Sequence, residues 1–236
     1  ENGNTALMYA CENSNSVEVV KFLIDNGADV NLKNNGGMTA LMSASDVSHE
    51  LIELLIKSGA RVNEVDDNGK SALMYAIISS SDIEVVKFLI DNGANVNLKS
   101  NDGETALMNA YIRGNKELVE LLINSGADVN LIDFNLKDNY GRTKLMEASK
   151  IGNKEAVELL INAGARVNEI DNDGNTALFY ACRLRDYTIF DKKCLKLVKF
   201  LIDNGADVNI KNNVGQTPLS VSSGKVEKLL RKSGAN

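Results

Sequence analysis

Between residues 17 and 24 the chain reads VEVVKFLI, and between 117 and 123 it reads ELVELLI, with apolar residues three and four apart around Glu and Lys. That spacing predicts short amphipathic helices, each with one buried face. A second apolar pattern precedes them: TALMYA at 5–10, SALMYA at 71–76, TALMNA at 105–110, TKLMEA at 143–148 and TALFYA at 176–181. It sets Leu7 and Ala10, and their counterparts, on one side of a first helix, where the small alanine lets the second helix come close. Thr5 and its equivalents stand where a hydroxyl can cap the first amides. Each second helix ends at a glycine, Gly27, Gly59, Gly93, Gly126, Gly164 and Gly205, the expected left-handed cap. Ala, then Asp, Asn or Arg, then Val-Asn follow each glycine and are expected to run extended into a DNG- or NDG-type turn, so each junction reads as a short β-hairpin.

Aligned on the glycine two places before each capping hydroxyl (Gly3, Gly37, Gly69, Gly103, Gly141, Gly174, Gly215), the chain repeats at intervals of 34, 32, 34, 38, 33 and 41 residues. Such a period specifies a stacked array, here of seven repeats at approximately 1–33, 34–65, 66–99, 100–137, 138–170, 171–211 and 212–236 of one domain. A unit of this size buries too little apolar surface alone to offset its ordering entropy; stacking on neighbours supplies a continuous core. The fold class is therefore all-α, a helical solenoid with short β-hairpins between helix pairs.

The combination of G-x-T-A-L-M-x-A with G-A-D-V-N resembles the ankyrin repeat, and the resemblance covers essentially the whole chain. One departure is systematic. Where the family's Thr-Pro-Leu-His has histidine, this chain has Met8, Met42, Met74, Met108 and Met146, then Phe179 and Ser220, and only Pro218 keeps the proline. Methionine cannot donate the histidine's hydrogen bond, so a more apolar and plastic seam between repeats is expected. The first repeat reads like an internal one, which points to a longer array or an end that packs in a dimer. The last, SGKVEKLLRKSGAN, reads like a polar cap.

Two irregularities interrupt the period. Asn31 to Gly37 is six residues, whereas Asn130 to Gly141 is eleven, so the fourth hairpin is expected to be five residues longer, with Phe134, Leu136 and Tyr140 near an exposed tip. In the sixth repeat about eight extra residues separate the helices, and the segment CRLRDYTIFDKKCLK gathers Arg183, Arg185, Lys192, Lys193 and Lys196. Drift in a tolerant surface loop accounts for this second insertion; the aromatics of the first favour function.

A net charge of −6 argues against a general nucleic-acid or anionic-membrane binder. No apolar run approaches a membrane span. Cys11, Cys182 and Cys194 are odd in number and form no CxxC, so a reducing, cytoplasmic setting is expected, with a secreted effector as the alternative. His49 stands alone, and no phosphate-loop, zinc-protease or nucleophile-elbow motif occurs. No enzyme activity, cofactor or metal is expected. Positions that vary between otherwise identical repeats are left to face a partner. The family's groove, built from hairpin tips and first helices, implies Lys70, Tyr75, Glu104, Asn109, Ile112, Arg113, Tyr140, Arg142 and Tyr180 as protein contacts, with Phe134 added by the long hairpin. The expected partner is a protein, met by a monomer, with neither nucleic acid nor membrane. A spacer segment of a longer scaffold and a fragment of a bacterial host-directed effector are the competing roles.

Overall fold

The computed structural model describes residues 2–12, 17–45, 48–79, 82–184 and 190–236. Helices come in pairs: α1 (Ala6–Cys11) with α2 (Val17–Asp25), α3 (Ala40–Ala44) with α4 (His49–Lys57), and α5 (Ala72–Ser79) with α6 (Ile83–Asp91). They continue with α7 (Ala106–Arg113) and α8 (Lys116–Asn124), α9 (Lys144–Ile151) and α10 (Lys154–Asn162), and α11 (Ala177–Cys182) and α12 (Phe190–Asp203). The last repeat shrinks its first helix to a 3-10 turn, Leu219–Val221, before α13 (Gly224–Lys232). The chain divides into two compact units, Glu1–Ala110 with Lys116–Ile132, and Tyr111–Asn115 with Asp133–Asn236. In the first, α1, α3 and α5 pack in succession, and so do α2, α4, α6 and α8. In the second, α9 packs on α11, α10 on α12, and α12 on α13.

Thr5, Thr39, Thr143 and Thr176 each accept the amide hydrogen three residues on, capping the first helices as their sequence requires. The leucines and alanines of the first-helix pattern are buried from the second repeat to the sixth. The methionines that stand in histidine's place are buried too, forming the apolar seam. In the fifth repeat the Met146 sulfur accepts a hydrogen bond from the Thr143 amide at 3.4 Å, and in the last the Ser220 hydroxyl does so from Thr217 at 3.0 Å. At the second helices, Gly59 N–H donates to Ile56 and Ala60 N–H to Leu55, the paired bonds of a glycine-capped terminus.

The junctions differ from the expected extended run. Asp29 Oδ1 accepts from Asn31 N–H at 2.8 Å, and Asp207 does the same for Asn209, so ADVN curls into an Asx turn. Each hairpin turn is then closed by two backbone bonds, as from Asp66 N–H to the Lys70 carbonyl and from Gly69 N–H to the Asp66 carbonyl. Among the described residues no strand forms, only isolated antiparallel bridges such as Val65–Ser71. At the turns Gly69 (φ 75°) and Gly141 (φ 75°) are in the left-handed region, and a Cβ there would collide with Asn101 and Asn172 of the next hairpin.

The valine-asparagine that ends each junction joins neighbouring repeats. Asn31 Nδ2 donates to the Gly59 carbonyl at 3.0 Å, while its Oδ1 accepts from Arg61 N–H at 2.8 Å. Asn63, Asn97, Asn168 and Asn209 repeat the stitch one repeat further along.

This stitch corrects the reading of the first insertion. Among the described residues Asn130 bonds only locally, to Asp128, and Asn135 Oδ1 instead receives Arg166 N–H at 2.8 Å. Lys137 pairs with Glu169 and caps the Ile170 carbonyl, as Lys33 pairs with Glu64 and caps Val65. The segment DFNLKDNYG thus takes the register of DVNLKNNGG, and the hairpin keeps its ordinary length. The extra residues lie before it, in a 3-10 turn at Val129–Leu131. Phe134 accordingly occupies the place of buried Val30 and Val96; it is 7 % exposed and meets Tyr111 edge to face at 5.2 Å. It is a core residue, not a tip residue. The second insertion lies partly outside the described residues, at 185–189; beyond it α12 runs for 14 residues where the other paired second helices have nine.

Phe134→Ala is expected to cost about 3–5 kcal/mol in urea denaturation, the scale of a lost core aromatic. A Tyr111/Phe134 double-mutant cycle should return a coupling of about 0.5–1.5 kcal/mol. Asn135→Ala should lower stability by about 1 kcal/mol while Asn130→Ala leaves it within about 0.5 kcal/mol; the reverse order would place the register where the sequence spacing alone put it.

Candidate functional site

The side chains between the hairpins and the first helices are organised around one acceptor per repeat. Asp66 Oδ1 accepts the amides of Asn68 and Lys70, holding the turn, and its Oδ2 accepts the Tyr75 hydroxyl at 2.7 Å. Asp171 repeats this, with Asp173 and Asn175 amides on Oδ1 and the Tyr180 hydroxyl on Oδ2 at 2.5 Å. In the fifth repeat, where Glu147 stands at the tyrosine position, Arg142 clasps Asp138 Oδ2 through Nε at 2.8 Å and a terminal nitrogen at 2.6 Å. Its guanidinium lies 4.8 Å from the centre of the Tyr140 ring. The fourth repeat has Ser100 in the acidic place; its Oγ accepts the Glu104 amide, and the Asn109 side-chain nitrogen, in a residue 5 % exposed, has no hydrogen-bond partner among the described residues.

These clasps set the electrostatics. Burial, then the hydrogen bond to Asp66, pushes the Tyr75 hydroxyl from an ordinary 10.0 up to about 12; burial and Asp171 do the same for Tyr180. The Asp138 carboxyl stays below the usual carboxylate range: burial opposes this, and bonds from Arg142 and the Tyr140 amide outweigh it. Hairpins are tied to one another by the backbone: Asp67 N–H donates to the Gly36 carbonyl and Asn101 to Asn68 in the first unit, Asn172 to Tyr140 and Asn213 to Asp173 in the second.

In the second unit a cleft of about 460 Å³ opens between the hairpin of the sixth repeat and the ends of α9 and α11. Lys150, Asp173, Asn175, Tyr180, Arg183 and Leu184 line it. Its size falls among small recognition pockets, roughly 300–1,000 Å³.

Most of the sequence candidates gather into such groups. Lys70 and Tyr75 meet around Asp66, both half-buried. Glu104 and Asn109 belong to the Ser100 hairpin and its first helix, with Asn109 sunk beneath the surface. Tyr140, 68 % exposed, and Arg142 share the Asp138 hairpin. Ile112 is half-buried and Arg113 exposed; their carbonyls both accept from Asn153 Nδ2. Phe134 stands apart in the core. The repeat comparison passes over Asp66 and Asp171, because an acidic turn residue reads as ordinary turn chemistry, and over Asp173 and Leu184. Lys150 and Asn175 lie at its variable positions, and Arg183 in the basic segment.

No catalytic constellation accompanies these groups. His49 is exposed and stacks at 4.9 Å on Phe88. Burial pushes the Cys11 thiol up to about 12 and raises Cys182 likewise, which holds both protonated. Among the described residues no cluster of three potential metal ligands exists, and no helix is long and apolar enough to cross a membrane.

A family model described as ankyrin repeats in three copies matches residues 1–66, 46–133 and 130–212. Among solved structures, the human ASB11 ankyrin repeat domain is similar at 24 % identity and a TM-score of 0.71, over 99 % of each chain. The ankyrin repeat domain of Bcl-3, a member of the IkappaB family, is similar at 29 % identity and a TM-score of 0.59, over 98 % of this chain and 100 % of that one. No curated protein sequence matches.

Folded-state hydroxyls held above their unfolded value contribute stability that is complete below pH about 10 and is lost as pH rises through about 12. Tyrosinate absorbance should therefore show Tyr75 and Tyr180 ionising near 12, together with the onset of unfolding. Tyr75→Phe and Tyr180→Phe should each delete one late-titrating group; equal titration of all tyrosines near 10 would remove the clasp.

Proposed function

This chain belongs to the ankyrin-repeat family, whose domains generally mediate protein–protein interaction, and we propose that it is a non-enzymatic module that binds a partner protein along its hairpin tips and first helices. The observation that carries the reading is the clasp. Tyr75, Arg142 and Tyr180 differ in chemistry from repeat to repeat, yet each is anchored on its own hairpin carboxylate, so a ring or guanidinium is offered in a fixed pose. Side chains already immobilised lose little entropy on docking, and Tyr and Arg are the residue types that dominate interface energetics. Lys70, Glu104, Asn109, Ile112, Arg113 and Tyr140 extend this surface; Phe134 is withdrawn from it and supports it from beneath through Tyr111. On the second helices Lys21–Asp25, Lys57–Glu53 and Lys199–Asp203 are exposed pairs four residues apart, which contribute little.

Capture with the tagged chain, read by quantitative mass spectrometry, tests the assignment. Lys70→Ala, Arg113→Ala and Tyr140→Ala combined should reduce recovery of the bound protein about tenfold or more, whereas Lys21→Ala with Lys57→Ala should leave it unchanged. Loss on the second-helix substitutions alone would move the interface to the other side of the array.

A further inference from the structure

The cleft of the second unit contains two cations that the fold itself does not use. Lys150, one residue before the end of α9, and Arg183, the cap of α11, are both exposed. Neither side chain makes a hydrogen bond or an ion pair among the described residues; that of Arg183 only approaches the Phe179 ring, 5.9 Å from its centre. Several other cations of this unit are engaged, Arg142 on Asp138, Lys137 on Glu169, Lys144 on Glu147 and Lys154 on Glu158.

The floor of the cleft is already satisfied. The Tyr180 hydroxyl and the Asn175 amide both donate to Asp171 Oδ2, and Asn175 Oδ1 accepts from Asn212 Nδ2 at 3.1 Å. An incoming group therefore finds Tyr180 and Asn175 already committed, one open carboxylate, Asp173, on the hairpin lip, and two multivalent donors on the helix side. Asp173, on the hairpin lip, leaves the lining with one net positive charge, a local reversal in a chain of net charge −6. Apolar surface lies beside the cations: Leu184 lines the cleft, and Ile151, next to Lys150, is 65 % exposed.

We propose that this cleft docks an acidic segment of a partner protein, with an Asp or Glu carboxylate held between Lys150 and Arg183 and an adjacent aliphatic side chain against Leu184 and Ile151. The proposal rests on the protein-binding reading above and names the chemistry one part of that surface selects. A carboxylate fits both cations at once, since Arg offers a planar fork and Lys a mobile ammonium. Steering by uncompensated charge also makes such binding sensitive to salt.

The test is selection of a random dodecapeptide phage library on the whole chain, with the best clone then synthesised and measured by fluorescence anisotropy. Enriched clones should carry Asp or Glu beside an aliphatic residue and weaken as salt rises. Lys150→Glu with Arg183→Glu should cost about tenfold or more in affinity, the scale of lost charge-assisted hydrogen bonds, with the melting curve unchanged. Replacing the peptide's acidic residues by Asn or Gln should have the same effect. Clones that bind yet ignore the charge reversal, but are lost on Lys70→Ala with Tyr140→Ala, overturn this inference and keep the wider surface. Clones indifferent to both sets overturn both readings. A phosphoserine peptide that binds where its Glu counterpart does not, or self-association abolished by the charge reversal, gives the cleft to a different occupant and overturns the proposal.

Discussion

One asparagine per junction makes the array possible. At Asn31, Asn63, Asn97, Asn168 and Asn209 its amide hydrogen and its carbonyl oxygen both act on the backbone of the following repeat, at the glycine that ends a second helix and at the residue two places beyond, and at Asn135 the oxygen does so. Helices of five to nine residues are too short to persist in water on their own. Their exposed terminal carbonyls are an added cost, and the stitch removes part of it by supplying a donor from next door. The same geometry demands a left-handed residue at the carbonyl, which is why Gly59, with φ of 90°, sits there and why its successors do too. Apolar packing gives the array its stability, and the stitch fixes its register.

Register then decides what the irregular repeat can do. Asn130 and Asn135 are each followed by leucine and each preceded by an apolar residue and an aspartate, so either could be the stitch by local chemistry. The chain uses the second, because only Asn135 stands six residues before Gly141, the spacing of Asn31 to Gly37. Phe134 is carried inward with it, into a valine's site, and the larger ring is accommodated against Tyr111. That tyrosine occupies the place held by Cys11, Ser45, Ile77 and Ser149 in other repeats. A large residue on the helix answers a large residue at the junction, and an aromatic pair in edge-to-face contact replaces the smaller contacts found elsewhere.

Much of this was legible in the residues. Threonine caps, terminal glycines, the packed alanine and the repeat itself are local or periodic signals, and they foretold the helix pairs and the buried methionines. Two kinds of fact were not. Counting from the first asparagine misplaced the extra residues: the six-residue spacing to Gly141 marks Asn135, and the bond that bears it out comes from Arg166, thirty-one residues away. And Asp66 and Asp171 looked like turn formers alone, since their second oxygen is committed only once the first helix folds back and brings Tyr75 or Tyr180 to it.

That second commitment changes what variation between repeats means. A position that differs from copy to copy was read as free for a partner, yet tyrosine and arginine at the clasp perform one structural task with different atoms. Such residues have a tethered end and an open face: the hydroxyl or guanidinium edge holds the hairpin, and the ring or planar surface remains available. Recognition through the tyrosines is by shape and apolar contact, because their hydroxyl protons are already engaged, whereas Arg142 keeps part of its fork free. Directional polar recognition must come from side chains with no such duty. In the second unit Lys150 and Arg183 meet that condition at the rim of the cleft, while Arg142 meets it only in part and the Tyr180 hydroxyl is held by Asp171.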